Sequence, residues 1–111
     1  MDELMNNLIS ELRRGTLIIH VLSQLKTPRY GYSLIELLES KGVSIEANTL
    51  YPLLRRLEKQ SILESNWNTD TAKPRKYYKI SEYGNEIYSQ LCKACFEITE
   101  NTNKLITEGN Q

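Results

Sequence analysis

The sequence predicts a mainly α-helical fold with one small β-hairpin, and three observations carry that expectation. Leu50, Leu53, Leu54 and Leu57 stand at i, i+3, i+4 and i+7, the spacing of a helix with one buried stripe. A second helical stretch, through Leu34, Ile35, Leu37 and Leu38 to Lys41, lies a few residues upstream, which spells helix-turn-helix. After Gln60 the apolar pattern changes from helical to alternating over Ser61–Trp67, and it alternates again over Arg75–Ile80. A basic hairpin directly after a helix-turn-helix is a wing. The expected architecture is therefore a winged helix-turn-helix with long N- and C-terminal dimerisation helices.

Taken in order, the first helix is expected over residues 4–25. Leu4, Leu8 and Leu12, then Leu17, Ile18, Val21, Leu22 and Leu25, give it an apolar stripe that widens toward its C-terminal half. Gly15 interrupts the run at a cost of about 1 kcal/mol against Ala, and such a glycine often marks the close approach of another backbone. Arg13 and Arg14 read as solvated surface, and His20 as a packed or surface residue. Thr27-Pro28-Arg29-Tyr30-Gly31 is a break that ends this helix. The next helix starts between Tyr30 and Ser33 and stops at Gly42, in the position where glycine commonly ends helices.

Residues 43–47 connect to the central helix, for which Ser44 and Asn48 both offer N-caps. Pro52 is best tolerated in a first turn, which favours the later start. The hairpin strands follow, joined by the polar stretch from Asn68 to Pro74. Ser81 can cap the last helix, where Ile87, Leu91, Ala94, Ile98 and Leu105 recur at heptad-like spacing. That seam is too long for so small a domain to bury alone. Pairing with a second copy, through this seam and the stripe of helix one at Leu8 and Leu12, is the economical solution. Residues 1–81 then form the winged-helix part and residues 82–111 a dimerisation helix, within one compact domain.

The 111 residues suffice for one domain, and their formal net charge of zero excludes binding to polyanions through bulk charge. Distribution matters more. Residues 49–81 hold seven Lys/Arg against three Asp/Glu, whereas residues 82–111 hold two against five. The start, Met1-Asp2-Glu3, is acidic, and no apolar run is long enough to span a bilayer. A soluble, cytoplasmic protein without membrane contact is expected.

On the central helix Asn48, Tyr51, Pro52, Arg55 and Lys59 fall opposite the leucine stripe, with Arg56 at the margin. Such a face can enter the major groove of double-stranded DNA, where Asn and Arg read base edges and Lys neutralises phosphate. The plain alternative is a solvated helix face. Lys73, Arg75 and Lys76 tip the balance, because wings lie along the phosphate backbone or probe the minor groove. Tyr77 and Tyr78 alternate across the strand, so one of them belongs to the core. A homodimer would present two such helices to operator half-sites about one helical turn, ~34 Å, apart.

Four stretches now carry a resemblance. Leu12-Arg13-Arg14-Gly15-Thr16-Leu17, Arg29-Tyr30-Gly31-Tyr32, Thr49-Leu50-Tyr51-Pro52-Leu53-Leu54-Arg55-Arg56-Leu57-Glu58 and Pro74-Arg75-Lys76-Tyr77-Tyr78-Lys79-Ile80-Ser81-Glu82-Tyr83-Gly84 occur in this order. They resemble the PadR family of bacterial transcriptional regulators, specifically its short members with a single C-terminal helix. The resemblance implies a homodimeric winged helix acting as a repressor of transcription, released by a small-molecule inducer. It also implies that Thr49 and Tyr51 face DNA from the start of the recognition helix. Two departures stand out: Asn48 where the family often has Gly, and Ala72-Lys73 where its wing tip often has Gly-Arg. An inducer would enter the cleft between the first and last helices of the two subunits, near Tyr88, Cys92, Cys95 and Phe96.

Catalysis has no support: no Ser-His-Asp/Glu set, phosphate-cradling Gly loop or metal-binding His cluster can be placed, and no cofactor or metal is expected. Cys92 and Cys95 form a C-x-x-C pair inside a helix, without the βαβ context of a redox motif. Packing is their plain role, and a thiol-based sensor is the sharper alternative. A winged helix used only for protein–protein contact is the other alternative, but it would not need the cationic face and basic strand.

Overall fold

In a computed structural model, residues 2–70 and 72–111 are described; Met1 of the acidic start and Thr71 of the wing loop lie outside them. The elements follow in the order α1 (Glu3–Arg14), α2 (Leu17–Ser23), β1 (Arg29–Tyr30), α3 (Gly31–Ser40), α4 (Ala47–Lys59), β2 (Leu63–Asn68), β3 (Arg75–Ile80) and α5 (Glu82–Gly109). Val21, Leu22 and Leu25 from the α2 region meet Leu34 and Leu38 of α3, Leu50, Leu54 and Leu57 of α4, and Leu63, Tyr78 and Ile80 of the sheet. The three α4 leucines are sealed from solvent, each worth about 2 kcal/mol of burial. Leu53, the fourth member of the stripe, packs at the edge of this core.

The first helix departs from the single rod expected over residues 4–25. It breaks at Gly15–Thr16 into α1 and α2. Both the Thr16 N–H (3.1 Å) and its hydroxyl (2.9 Å) donate to the Arg13 carbonyl, drawing that acceptor out of the helical ladder. Gly15 therefore stands at a bend within the chain, and a Cβ there would meet no atom of the described residues within 4 Å. α1 buries none of its residues.

Two helix ends illustrate one device. The Gly42 N–H bonds the Glu39 carbonyl (3.0 Å) and the Val43 N–H bonds that of Leu38 (2.8 Å), closing α3 with the left-handed residue at C′. α4 ends identically through Ser61 and Ile62, which bond Glu58 and Leu57, although the left-handed residue is Ser61 at φ 64°. Neither Ser44 nor Asn48 caps α4. The helix begins one residue before Asn48, with Glu46 as N-cap, and the Glu46 carbonyl accepts from Thr49 and Leu50. Pro52 consequently sits in the second turn. It is exposed, and the Asn48 carbonyl that loses its donor lies on the same solvated side.

The sheet has a third strand that the break at residues 27–31 concealed. Its order is β1-β3-β2, with Arg29 opposite Tyr78 and Tyr30 opposite Tyr77. β2 and β3 pair from Leu63–Ile80 out to Asn68–Arg75, so Leu63, Ser65, Trp67, Lys76, Tyr78 and Ile80 share one face. α5 starts at Ser81, whose hydroxyl accepts the Gly84 N–H at 2.8 Å. Its first turns pack on α2, with Ile87, Tyr88 and Leu91 against the core. Ala94, Ile98 and Leu105 continue the seam exposed.

Candidate nucleic-acid interface

α4 shows its outer face as the leucine spacing requires. Asn48, Thr49, Pro52, Arg55, Arg56 and Lys59 are all exposed while the leucines point inward. Thr49, Pro52 and Arg56 turn toward the α1–α2 side, where they line a groove of about 440 Å³ with Arg14, Leu17 and Leu53. Tyr51 departs from the outer face. It is half-buried on the wing side, its ring lying over Gly31; a Cβ at residue 31 would fall 2.5 Å from that ring. This explains why the Arg-Tyr-Gly-Tyr and Thr-Leu-Tyr-Pro stretches belong together: a side chain at position 31 would displace Tyr51.

The wing is strapped to α4 by charge. Both oxygens of Glu58 face the hairpin: Oε1 accepts from Lys76 Nζ at 2.9 Å, and Oε2 accepts from the Ser65 hydroxyl. The Ser65 hydroxyl and then the Lys76 ammonium hold the Glu58 carboxyl below its ordinary value, and the same hydrogen bond to Glu58 holds the Lys76 ammonium above its own. Lys76 is thus engaged inward, also lying over the Tyr78 ring at 5.3 Å. Glu58 and Ser65 are contacts between helix and wing that sequence reasoning misses. No local signal marks them, because their meeting depends on the angle between helix and hairpin.

Arg75 and Lys73 occupy the outer part of the wing and are exposed. The Arg75 guanidinium lies 5.6 Å from the centre of the Tyr30 ring, and Tyr30 stands edge-on to Tyr77 at 6.0 Å. Asn68 Nδ2 donates to the Tyr30 hydroxyl at 2.9 Å, so β1 holds the outer end of the strand pair, where the wing loop begins. Of the two strand tyrosines Tyr78 is the core residue and Tyr77 the half-buried one. The structure thus gathers Asn48, Pro52, Arg55 and Lys59 on one helix face, with Arg75 and Lys73 on the adjoining wing. Tyr51 and Lys76 lie between the two.

The inducer candidates do not cluster as a set. Tyr88 and Cys92 lie one turn apart on α5, and the hydrogen bond to Cys92 holds the Tyr88 hydroxyl above its ordinary value. Lys26 covers the Tyr88 ring at 5.0 Å while donating to Asn85 at 2.6 Å. Cys92 and Cys95 are free and half-buried, but Phe96 is 72% exposed and turned away. Among the described residues no group of three or more His, Cys, Asp or Glu is placed to hold a metal ion. No described helix is long and apolar enough to cross a membrane.

A helix-turn-helix with an outward cationic helix and a strapped basic wing defines the class of winged-helix DNA-binding regulators. Comparison with known proteins supplies the family. The family model described as "Transcriptional regulator PadR-like family" matches residues 18–90. The chain is 44% identical to a PadR family transcriptional regulator from Eggerthella lenta, whose crystal structure superposes with a TM-score of 0.90 over 95% of this chain and 94% of that one. A transcriptional regulator from Clostridium thermocellum is 30% identical, with a TM-score of 0.79 over 85% of this chain and 96% of that one. An uncharacterised protein from Lysinibacillus sphaericus is 33% identical, covering 82% of this chain and 88% of its own length. This chain belongs to the PadR-like family of transcriptional regulators. It is a DNA-binding protein and not an enzyme.

Proposed function

We propose that the chain is a homodimeric repressor that binds a palindromic operator in the cytoplasm and is released by a small molecule. The observation that carries the dimer is surface. A single chain exposes 8246 Å², whereas a folded monomer of 12.9 kDa is expected to expose about 6,300 Å². The excess, roughly 1,900 Å², falls within the range that one partner of an obligate pair buries. The excess is apolar where a partner is needed: Leu4, Leu8 and Leu12 on α1, and Ile98 and Leu105 on α5, are all exposed. In this reading residues 82–111 join the subunits together with the apolar stripe of α1, and the rest of residues 1–81 reads DNA.

Two-fold symmetry then pairs two α4 helices, each with Asn48, Thr49, Pro52, Arg55 and Lys59 toward a major groove, and two wings with Lys73 and Arg75 toward phosphate. Repression and release are supported by the family resemblance. The cleft beside Tyr88, Cys92 and Cys95 is the place for an inducer, provided it binds one dimer geometry better than another. The test of DNA reading is salt dependence. Replacing Arg55 and Lys59 together with Ala should weaken operator binding and flatten the dependence of log affinity on log salt, by roughly 0.9 for each phosphate no longer neutralised. The dimer should persist. Unchanged low-salt affinity for the operator, recovered by sequencing DNA retained from the protein's own genome, would remove this face from the interface.

A further inference from the structure

Between the wing and the N-terminal ends of α3 and α4 lies a notch of about 330 Å³, walled by Tyr32, Tyr51, Trp67, Arg75, Lys76 and Tyr78. Two of its aromatics are open to solvent, Tyr32 at 67% and Trp67 at 61%. Register explains the position of Trp67. It pairs with Lys76 and shares the sheet face of Leu63, Tyr78 and Ile80, which are buried. By Trp67 that face has run past the helical body, so the indole covers no core. An exposed indole beside exposed phenol and guanidinium groups is a surface built for contact.

We propose that this notch seats one strand of duplex DNA, with Trp67 and Tyr32 packed against deoxyribose and Arg75 on an adjoining phosphate. The inference rests on the DNA-reading face proposed above and adds to it two aromatic residues. Bases in a duplex are stacked and closed to an indole, whereas each sugar offers an apolar edge flanked by phosphates. Aromatic planes with a cation at the rim match that repeat. Lys76 is engaged by Glu58 at 2.9 Å, so the second cation lining the notch is Arg75, exposed at its rim with its guanidinium over the Tyr30 ring at 5.6 Å. The location agrees: the notch is continuous with α4 on one side and the wing on the other, and a groove-reading helix and its wing must straddle one backbone. A small aromatic ligand fits poorly. Small-molecule sites bury most of their ligand, and two walls here are more than half open.

The chain has one tryptophan, so emission excited at the red edge, where the indole absorbs and the seven tyrosines do not, reports on this notch. The full chain is titrated at low salt with a mixed-sequence duplex, labelled for anisotropy and unlabelled for emission. Trp67 emission should change in step with the anisotropy. Trp67→Ala should weaken binding about five- to tenfold, and Trp67→Phe should restore most of it. Neither should alter the salt slope, since neither removes a cation. Thermal melts of both variants should match wild type, because the side chain is exposed. Normal binding by Trp67→Ala, with wild-type emission unmoved at saturation, overturns the notch and leaves the DNA-reading face intact. A wild-type chain that binds no duplex overturns both.

Discussion

The Ser81 hydroxyl donates to the carbonyls of Ser61 (2.7 Å) and Ile62 (3.0 Å) and accepts the Gly84 N–H (2.8 Å). The Ser81 N–H also bonds the Ile62 carbonyl at 3.0 Å. One residue, 8% exposed, thereby joins the end of α4, the start of β2 and the start of α5. An alanine would leave an uncapped helix start and a carbonyl short of a partner, each costing about 1 kcal/mol. Ser81→Ala should therefore lower the urea midpoint by an amount worth about 2 kcal/mol, with the slope unchanged. A loss no larger than that of an exposed serine, below about 0.5 kcal/mol, would show that the Ser61 carbonyl and the Gly84 N–H find other partners. Local sequence announces the cap, because a serine stands just before an acidic first turn. The carbonyl partners twenty residues upstream leave no such trace. Tyr51 is the same case: helical spacing set it on the outer face, whereas the missing side chain at Gly31 draws its ring toward the wing.

Between elements, the Glu58–Lys76–Ser65 strap decides how the wing stands against the recognition helix. Glu58 ionises more readily in the folded chain than in the unfolded one, so its share of stability is full at neutral pH and is lost as pH falls through the lowered folded value. Lys76 is shifted upward, and its share is lost only as pH rises through its raised value. The two side chains are 32% and 29% exposed, so the pair contributes under about 1 kcal/mol. Glu58→Gln should cost that much at neutral pH and nothing in acid below the folded value. It should also tighten DNA binding and steepen the salt slope, because the freed Lys76 can reach phosphate. Equal urea midpoints for both chains at neutral pH would show that the strap holds nothing. Helix and strand periods were plain in the sequence, since Leu50–Leu57 and Arg75–Ile80 repeat cleanly. Junctions were not. The Gly15–Thr16 break and the Glu46 start of α4 are set by local hydrogen bonds that apolar spacing does not mark, and the two-residue β1 by pairing with distant Tyr77 and Tyr78.

At the scale of the molecule, the radius of gyration is 16.5 Å and the extents are 60 × 35 × 22 Å, against about 13 Å for a compact domain of this length. α5 accounts for the elongation: its 28 residues outrun the core, against which Ile87, Tyr88 and Leu91 of its first turns pack. The heptad spacing made this long helix legible, but not where the protomer's own packing ends. That boundary selects the residue to change. Leu91 packs against the protomer core, so a charge there would unsettle the monomer as well as any dimer. Ile98 is 65% exposed, and Ile98→Glu should be nearly neutral for the protomer itself. In a seam between subunits the same carboxylate would be buried without a partner, at several kcal/mol. Sedimentation should then show wild type as a dimer and the variant as a monomer at the same concentration. Operator affinity should fall, although residue 98 lies outside the DNA-reading face, because one protomer engages one half-site. Wild-type thermal stability should rise with protein concentration, as it does when folding and association are linked, and that dependence should vanish in the variant. If Ile98→Glu sediments as a dimer and binds operator normally, the distal half of α5 does not form the seam.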